Sequence, residues 1–195
     1  MQTHTAFVLR GEGKVKHQPQ ALGEEAATGI RVVGVVSDRS GLKPPARRDG
    51  LTKLAKLDFL VRYPALASVV LDELDENEPR MHLSEDEVSA PTEVEDPMTR
   101  YKYGPWDDRY YPVVGALVSR GLLRYVKGRR GSVALTATPA GKAFADALSE
   151  EPLWNEIADR CEAVAEASAG LTGNALKERI YERLADLMDR PHREV

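Results

Sequence analysis

The sequence predicts an α+β fold, mostly α. Three observations carry this. First, 42% of the 195 residues are apolar, enough for a substantial core. Second, apolar residues recur at helical spacing in Leu51 to Tyr63, Leu153 to Ala165 and Leu176 to Leu187. Third, between Met98 and Lys142 a helical stretch is followed by two short apolar runs around a polar Gly-containing loop, and then by a second helix start. Helix, hairpin and helix in that order form the back half of a winged helix-turn-helix unit with a short β-hairpin wing. The expected organisation is an N-terminal arm over 1–50, a winged-helix domain over 51–149 with an acidic insertion at 72–97, and a C-terminal extension of amphipathic helices over 150–195.

The arm has no regular period. Ile30 to Val36 (IRVVGVV) is β-branched and reads as a single strand added to a sheet edge. Gly41 to Gly50 (GLKPPARRDG) reads as a linker.

Leu51, Leu54, Leu57 and Val61 repeat at helical spacing, widened by Phe59 and Leu60. Lys53, Lys56 and Arg62 lie off this stripe. Pro64 ends or bends the helix, and a further helical run follows to Leu74. These are the expected first helices of the winged-helix unit.

From Asp72 to Asp96 the chain carries eleven carboxylates against one arginine, Arg80. Ser84-Glu85-Asp86-Glu87 resembles a capping box, and Pro91 and Pro97 bound a loop. Without a glycine-centred loop the carboxylates do not form a calcium site, so a solvated acidic segment is the expectation.

From Thr99 to Lys142 the sign reverses, with nine cationic residues against Asp107 and Asp108. Gly104-Pro105 breaks regular structure. Asp107 suits a helix N-cap, and Val113, Val114, Leu117 and Val118 share one helical face, with Gly121 as a left-handed stop. Pro112 falls inside this helix, which moves its expected start to near Tyr111. The hairpin follows as Leu122 to Val126, a turn over 127–131, and Val133 to Leu135. Thr138-Pro139 opens the next helix as N-cap and first residue.

A basic hairpin tip after a helix suits phosphate contact. The candidates for the DNA backbone are Arg109, Arg120, Arg124, Lys127, Arg129 and Arg130. Turns collect Lys, Arg and Gly in any case, so a solvated turn is the competing reading. The helix lacks the Arg, Asn and Gln cluster that reads base edges, so any DNA contact is expected without sequence preference.

At the C-terminal end, Gly170 stops one amphipathic helix and Thr172 is placed to cap the last. Their stripes need a partner surface, either the winged-helix core or another chain. The candidates for a partner interface are Leu153, Trp154, Ile157, Leu176, Ile180 and Leu184.

Other functions find no motif. There is no P-loop, no G-x-S-x-G and no pair of histidines at ligand spacing. His4, His17, His82 and His192 are scattered. Cys161, the one cysteine, excludes an internal disulfide and reads as a small core residue. Trp106 and Trp154 read as packing residues rather than stacking platforms. The expectation is a protein without enzymatic activity, cofactor or metal. A net charge of −4 argues against global attraction to nucleic acid. No apolar run reaches bilayer length, and the first residues lack a signal-peptide core, so the expected location is the cytoplasm with no membrane contact.

Lys53 to Pro64 (KLAKLDFLVRYP), Tyr101 to Tyr111 (YKYGPWDDRYY) and Gly115 to Leu122 (GALVSRGL) resemble the winged-helix middle components encoded beside SMC-like ABC ATPases in bacterial three-component anti-phage systems. The Lys-Tyr-Gly-Pro step is also similar to SocA-like antitoxin (Panacea) winged-helix proteins. The resemblance covers roughly 51–148. It implies an adaptor that joins an SMC-like ATPase to an effector in antiviral defence and contacts DNA as part of the complex. The alternative is a free-standing winged-helix transcriptional regulator. The acidic insertion and the N-terminal arm have no counterpart in the pattern.

Overall fold

In a computed structural model, the protein is described over residues 19–37, 48–82, 99–101, 104–128, 131–152 and 154–185. In chain order the elements are α1 (Pro19–Ser37), β1 (Arg48–Asp49), α2 (Leu51–Arg62), α3 (Pro64–Val70), a 3-10 turn (Pro79–Met81), β2 (Thr99–Tyr101), β3 (Gly104–Trp106), α4 (Tyr110–Ser119), β4 (Leu123–Lys127), β5 (Val133–Ala137), α5 (Pro139–Ser149), α6 (Asn155–Ala167) and α7 (Gly173–Arg183). The α+β class with a helical majority is as expected. A three-stranded sheet has the order β1–β5–β4, and β2 pairs with β3 in a separate two-stranded sheet.

The first correction concerns Ile30 to Val36, which is not a strand. It is the C-terminal half of α1, and Val32, Val33, Val35 and Val36 are all buried. A continuous apolar run suits a helix enclosed on all sides as well as it suits a buried strand. Here the enclosure decides, because α1 touches α2, α4, α5, α6 and β5. The C-terminal half of α1 therefore belongs to the core rather than to an arm. Gly34 is what allows α6 so close: a Cβ there would lie 2.8 Å from the Cys161 sulfur. Residues 1–18, and most of the expected linker, lie outside the described residues. The end of that linker, Arg48–Asp49, is a strand paired with Leu135 and Ala134 of β5.

Helix α2 follows from its leucine stripe, and Pro64 sits at the start of α3, where its missing N–H costs nothing. The expected loop at Gly104-Pro105 is corrected to strand β3, in which Pro105 stands opposite Arg100. Both strands of this pair are edges, so the absent donor is tolerated. Helix α4 starts at Tyr110, one residue before the expected start, which makes Pro112 its third residue. The first four N–H groups of a helix have no internal acceptor, so Pro112 breaks no bond. Gly121 has φ 70°, the left-handed stop. Thr138 Oγ1 accepts from Gly141 N–H at 3.0 Å and Thr172 Oγ1 from Ala175 N–H at 3.1 Å, both as the sequence predicts. The expected capping box at 84–87 lies outside the described residues.

One hydrophobic cluster joins all these parts, with Val32 and Val36 of α1, Leu54 and Leu57 of α2, Leu117 of α4, Leu135 of β5, Val164 of α6, and Leu176 and Ile180 of α7 in the same core. The C-terminal helices are thus members of the core. The acidic run at 72–82 is anchored on them: Asp72 pairs with Arg183 and, at 2.9 Å, with Arg179. Arg80 bridges Glu78 and Glu166, each at 2.8 Å. No helix among the described residues is long and apolar enough to cross a membrane.

Candidate functional site

The hairpin comes from two runs of five residues, with Leu123 opposite Ala137, Tyr125 opposite Leu135 and Lys127 opposite Val133. Its base is in the core and its far end is not. Leu123, Leu135 and Ala137 are buried, whereas Tyr125 is 53% and Val133 60% exposed. Arg124 and Lys127 are exposed on β4. Arg129 and Arg130 lie outside the described residues. Arg120, at the C-terminal end of α4, is exposed, with its guanidinium 3.5 Å from Ala116 O.

Arg109 does not belong with them. Its Nε lies 2.9 and 3.1 Å from the two Asp107 oxygens, and its Nη2 donates to Oδ2 at 2.8 Å. A forked carboxylate pair of this kind is the preferred partner of a guanidinium, so Arg109 is held by its neighbour rather than presented to phosphate. Asp107 also takes Arg109 N–H at 2.9 Å, two residues on, and the N-cap position falls to Arg109, without a side-chain cap. Burial pushes the Asp107 carboxyl up, but the hydrogen bonds and charge of Arg109, with Arg62 behind, together hold it below its ordinary value.

The solvent face of α4 carries Tyr111, 63% exposed, with Pro112, Gly115 and Ser119. None of these offers the paired donors and acceptors that distinguish base edges. Trp106 is buried, its ring 5.4 Å from Tyr110 and 5.5 Å from Tyr111, and its indole N–H donates to Asp108 at 3.0 Å. It is a packing residue, as expected.

Behind α4 lies a group of charges that the sequence did not reveal. Asp58 of α2 has no exposed surface. Its Oδ1 accepts from Arg31 Nε at 2.6 Å and its Oδ2 from the Tyr110 hydroxyl at 2.6 Å. Arg31 Nη2 donates onward to Thr28 at 3.1 Å. Arg62, whose side chain is 1% exposed, lies 3.9 Å from Asp58 and 3.2 Å from Asp107. Three helices and the loop before α4 are therefore tied through one buried carboxylate and its neighbours. Burial, and then the Asp58 charge, push the Tyr110 hydroxyl well above its ordinary value, so it stays a donor.

Two other off-stripe residues of α2 prove buried. Lys53 donates to Leu171 O at 2.6 Å and Lys56 to Thr52 O at 2.8 Å. Burial, aided by the charge of Lys177, lowers Lys56 to about 8.

The expected partner interface is largely corrected. Leu176 and Ile180 have no exposed surface and Leu184 is 6% exposed. Their stripe is covered by the chain itself, because α7 lies against α2 and α3. Trp154 and Ile157 are half-buried, and Leu153 lies outside the described residues. Cys161 is buried, donates weakly to Arg31 O at 3.8 Å, and is pushed up to about 12 by burial, so it is a core residue and a poor nucleophile.

Among the described residues the hairpin presents two exposed cations, Arg124 and Lys127, beside two exposed apolar side chains, with Tyr111 exposed on α4 and Arg120 at its C-terminal end. Such a surface can meet phosphates or a protein. No family profile matches the chain, and no curated protein or solved structure matches it.

Proposed function

We propose that the chain is a winged-helix adaptor without enzymatic activity, a subunit that links an SMC-like ABC ATPase to an effector in bacterial anti-phage defence. The observation that carries the winged-helix part is the sheet order β1–β5–β4, with α1 before β1 and α2 and α4 between β1 and the hairpin. That is the element order expected of a helix-turn-helix with a wing. The partner assignment rests on the sequence resemblance. The adaptor role is supported by the outer face of α4, which bears Tyr111, Pro112, Gly115 and Ser119 in place of base-reading side chains. It is supported no longer by the α7 stripe, which is core. The contact surface therefore shifts to the hairpin and the solvent face of α4.

A free-standing DNA-binding regulator is the second reading, favoured by the exposure of Arg124 and Lys127. Binding of the purified chain to random duplex DNA across a salt series, with co-purification from cells co-expressing the products of its flanking genes, separates the two. The adaptor reading expects weak, sequence-independent binding that falls steeply with salt, and a retained ATPase. Tight, sequence-selective binding by the isolated chain would overturn it. The double variant Arg124→Ala with Lys127→Ala is expected to lower the salt slope by about two, one for each phosphate no longer neutralised; an unchanged slope makes the hairpin tip a solvated turn.

A further inference from the structure

Strand β4 is an outer strand of the three-stranded sheet. Two hydrogen bonds at the ends of the hairpin set its phase: Gly128 N–H donates to Ser132 O at 2.6 Å, and Thr138 N–H to Leu122 O at 3.0 Å. In an antiparallel ladder alternate residues turn both backbone groups toward the neighbour. Leu122, Arg124, Val126 and Gly128 therefore face β5, and Leu123, Tyr125 and Lys127 turn their N–H and C=O groups to the other side. Among the described residues no strand lies beyond that edge. Tyr125, Lys127 and Val133 share one face of the sheet, with Tyr125 and Val133 as diagonal neighbours, and Arg124 stands on the opposite face.

The geometry points to β4 as the docking edge for an extended segment of a partner protein in which apolar and acidic residues alternate. The inference rests on the adaptor reading and gives its surface a chemistry. Backbone pairing with Leu123, Tyr125 and Lys127 supplies affinity, as in other strand additions. Apolar side chains on one face of the added strand cover Tyr125, which otherwise stays 53% exposed, and extend the apolar patch it forms with Val133. Carboxylates on its other face meet Arg124. A second copy of this chain suits the edge badly, because pairing two β4 strands lines Arg124 and Lys127 of both along one seam. Nucleic acid would engage the cations and leave the edge amides and the Tyr125–Val133 pair without a role.

The test uses the full chain and a capped peptide Thr-Val-Glu-Val-Glu-Val-Thr, read by amide hydrogen exchange. Saturating peptide is expected to slow exchange at Tyr125 and Lys127 by about tenfold or more, which corresponds to about 1.4 kcal/mol of protection. Lys127→Pro removes an edge N–H without taking a bond from the β5 ladder, and is expected to abolish the protection at Tyr125. Arg124→Glu is expected to weaken the peptide and to favour one with Lys in place of Glu. Unchanged exchange at high peptide concentration overturns the inference. So does equal binding by Lys127→Pro, or protection of the same amides by a random DNA duplex and not by the peptide. Co-purification separates the two levels. A partner that Lys127→Pro still retains removes this edge and leaves the adaptor reading in place. A wild-type chain that retains no partner removes the adaptor reading, while the peptide result still decides the edge.

Discussion

Asp58 ties α1, α2 and α4 together through one buried side chain. A carboxylate with no exposed surface is tolerated only because Arg31 and Tyr110 both donate to it at 2.6 Å, with Arg62 beyond. Removing the charge takes from the buried Arg31 guanidinium the carboxylate that lies 2.6 Å from it. Asp58→Asn is therefore expected to cost about 3–5 kcal/mol in urea unfolding. Tyr110→Phe, which removes one donor and leaves the charges in place, is expected to cost about 1–3 kcal/mol. If Asp58→Asn costs less than Tyr110→Phe, the network is not what holds α4 to α2. Lys56 supplies a pH dependence of opposite character. Its folded value of about 8 lies below its ordinary one, so between pH 8 and about 10.4 the unfolded chain binds more protons. Stability from this group then rises with pH across that window, and below it the penalty on the buried ammonium is complete. Lys56→Met should raise stability at pH 7 and flatten the rise between pH 8 and 10, measured against wild type by chemical denaturation. The opposite sign would place the ammonium in water. Of these polar residues the sequence disclosed little. Asp58 lies inside an apolar helix and Arg31 inside an apolar run, and nothing in a periodicity says that two such residues meet across 27 positions.

At the scale of elements, the hairpin, its glycine stop and the Thr138 and Thr172 caps were legible because each depends on residues within a few positions of itself. Helix α1 was not. Its valines favour a strand locally, and only the five elements packed around it make a helix the better outcome. The β2–β3 pair was hidden for a similar reason, since Gly104 and Pro105 usually mark a loop. Close approach between elements sets a further expectation. A Cβ on Gly141 would lie 2.0 Å from the Leu122 carbonyl oxygen, an atom that cannot step aside without moving the turn into β4. Gly141→Ala should therefore destabilise by about 1–3 kcal/mol, the range for overpacking. Gly115→Ala meets nothing within 4 Å and should stabilise α4 by about 0.5–1 kcal/mol. Thermal unfolding of the two variants checks both signs.

For the molecule as a whole, the main revision is that α1 and the helices after the hairpin close one core. Helix α1 and helices α6 and α7 belong to the same cluster, and Leu176 and Ile180 are interior residues. Leu176→Ala is expected to cost about 2–5 kcal/mol of stability in the isolated chain. A variant that stays as stable as wild type but loses a partner would return that stripe to the surface. The candidate site divides in the same way: Arg124 and Lys127 are exposed on β4, Lys127 as its last residue rather than in the expected turn, while Arg109 was claimed by the carboxylate two residues before it, and the apolar pair beside them was visible only once the hairpin register was known.

The close approach of Gly34 and Cys161 has a practical consequence. The chain has a single thiol, and it sits at the seam between α1 and α6, buried and shifted up to about 12. A disulfide reagent can reach it only when that seam parts. Labelling kinetics in native buffer thus become a clock for the opening of α1 from α6, recorded without introducing a new residue. A rate that follows global stability would mean that α1 and α6 separate only when everything does.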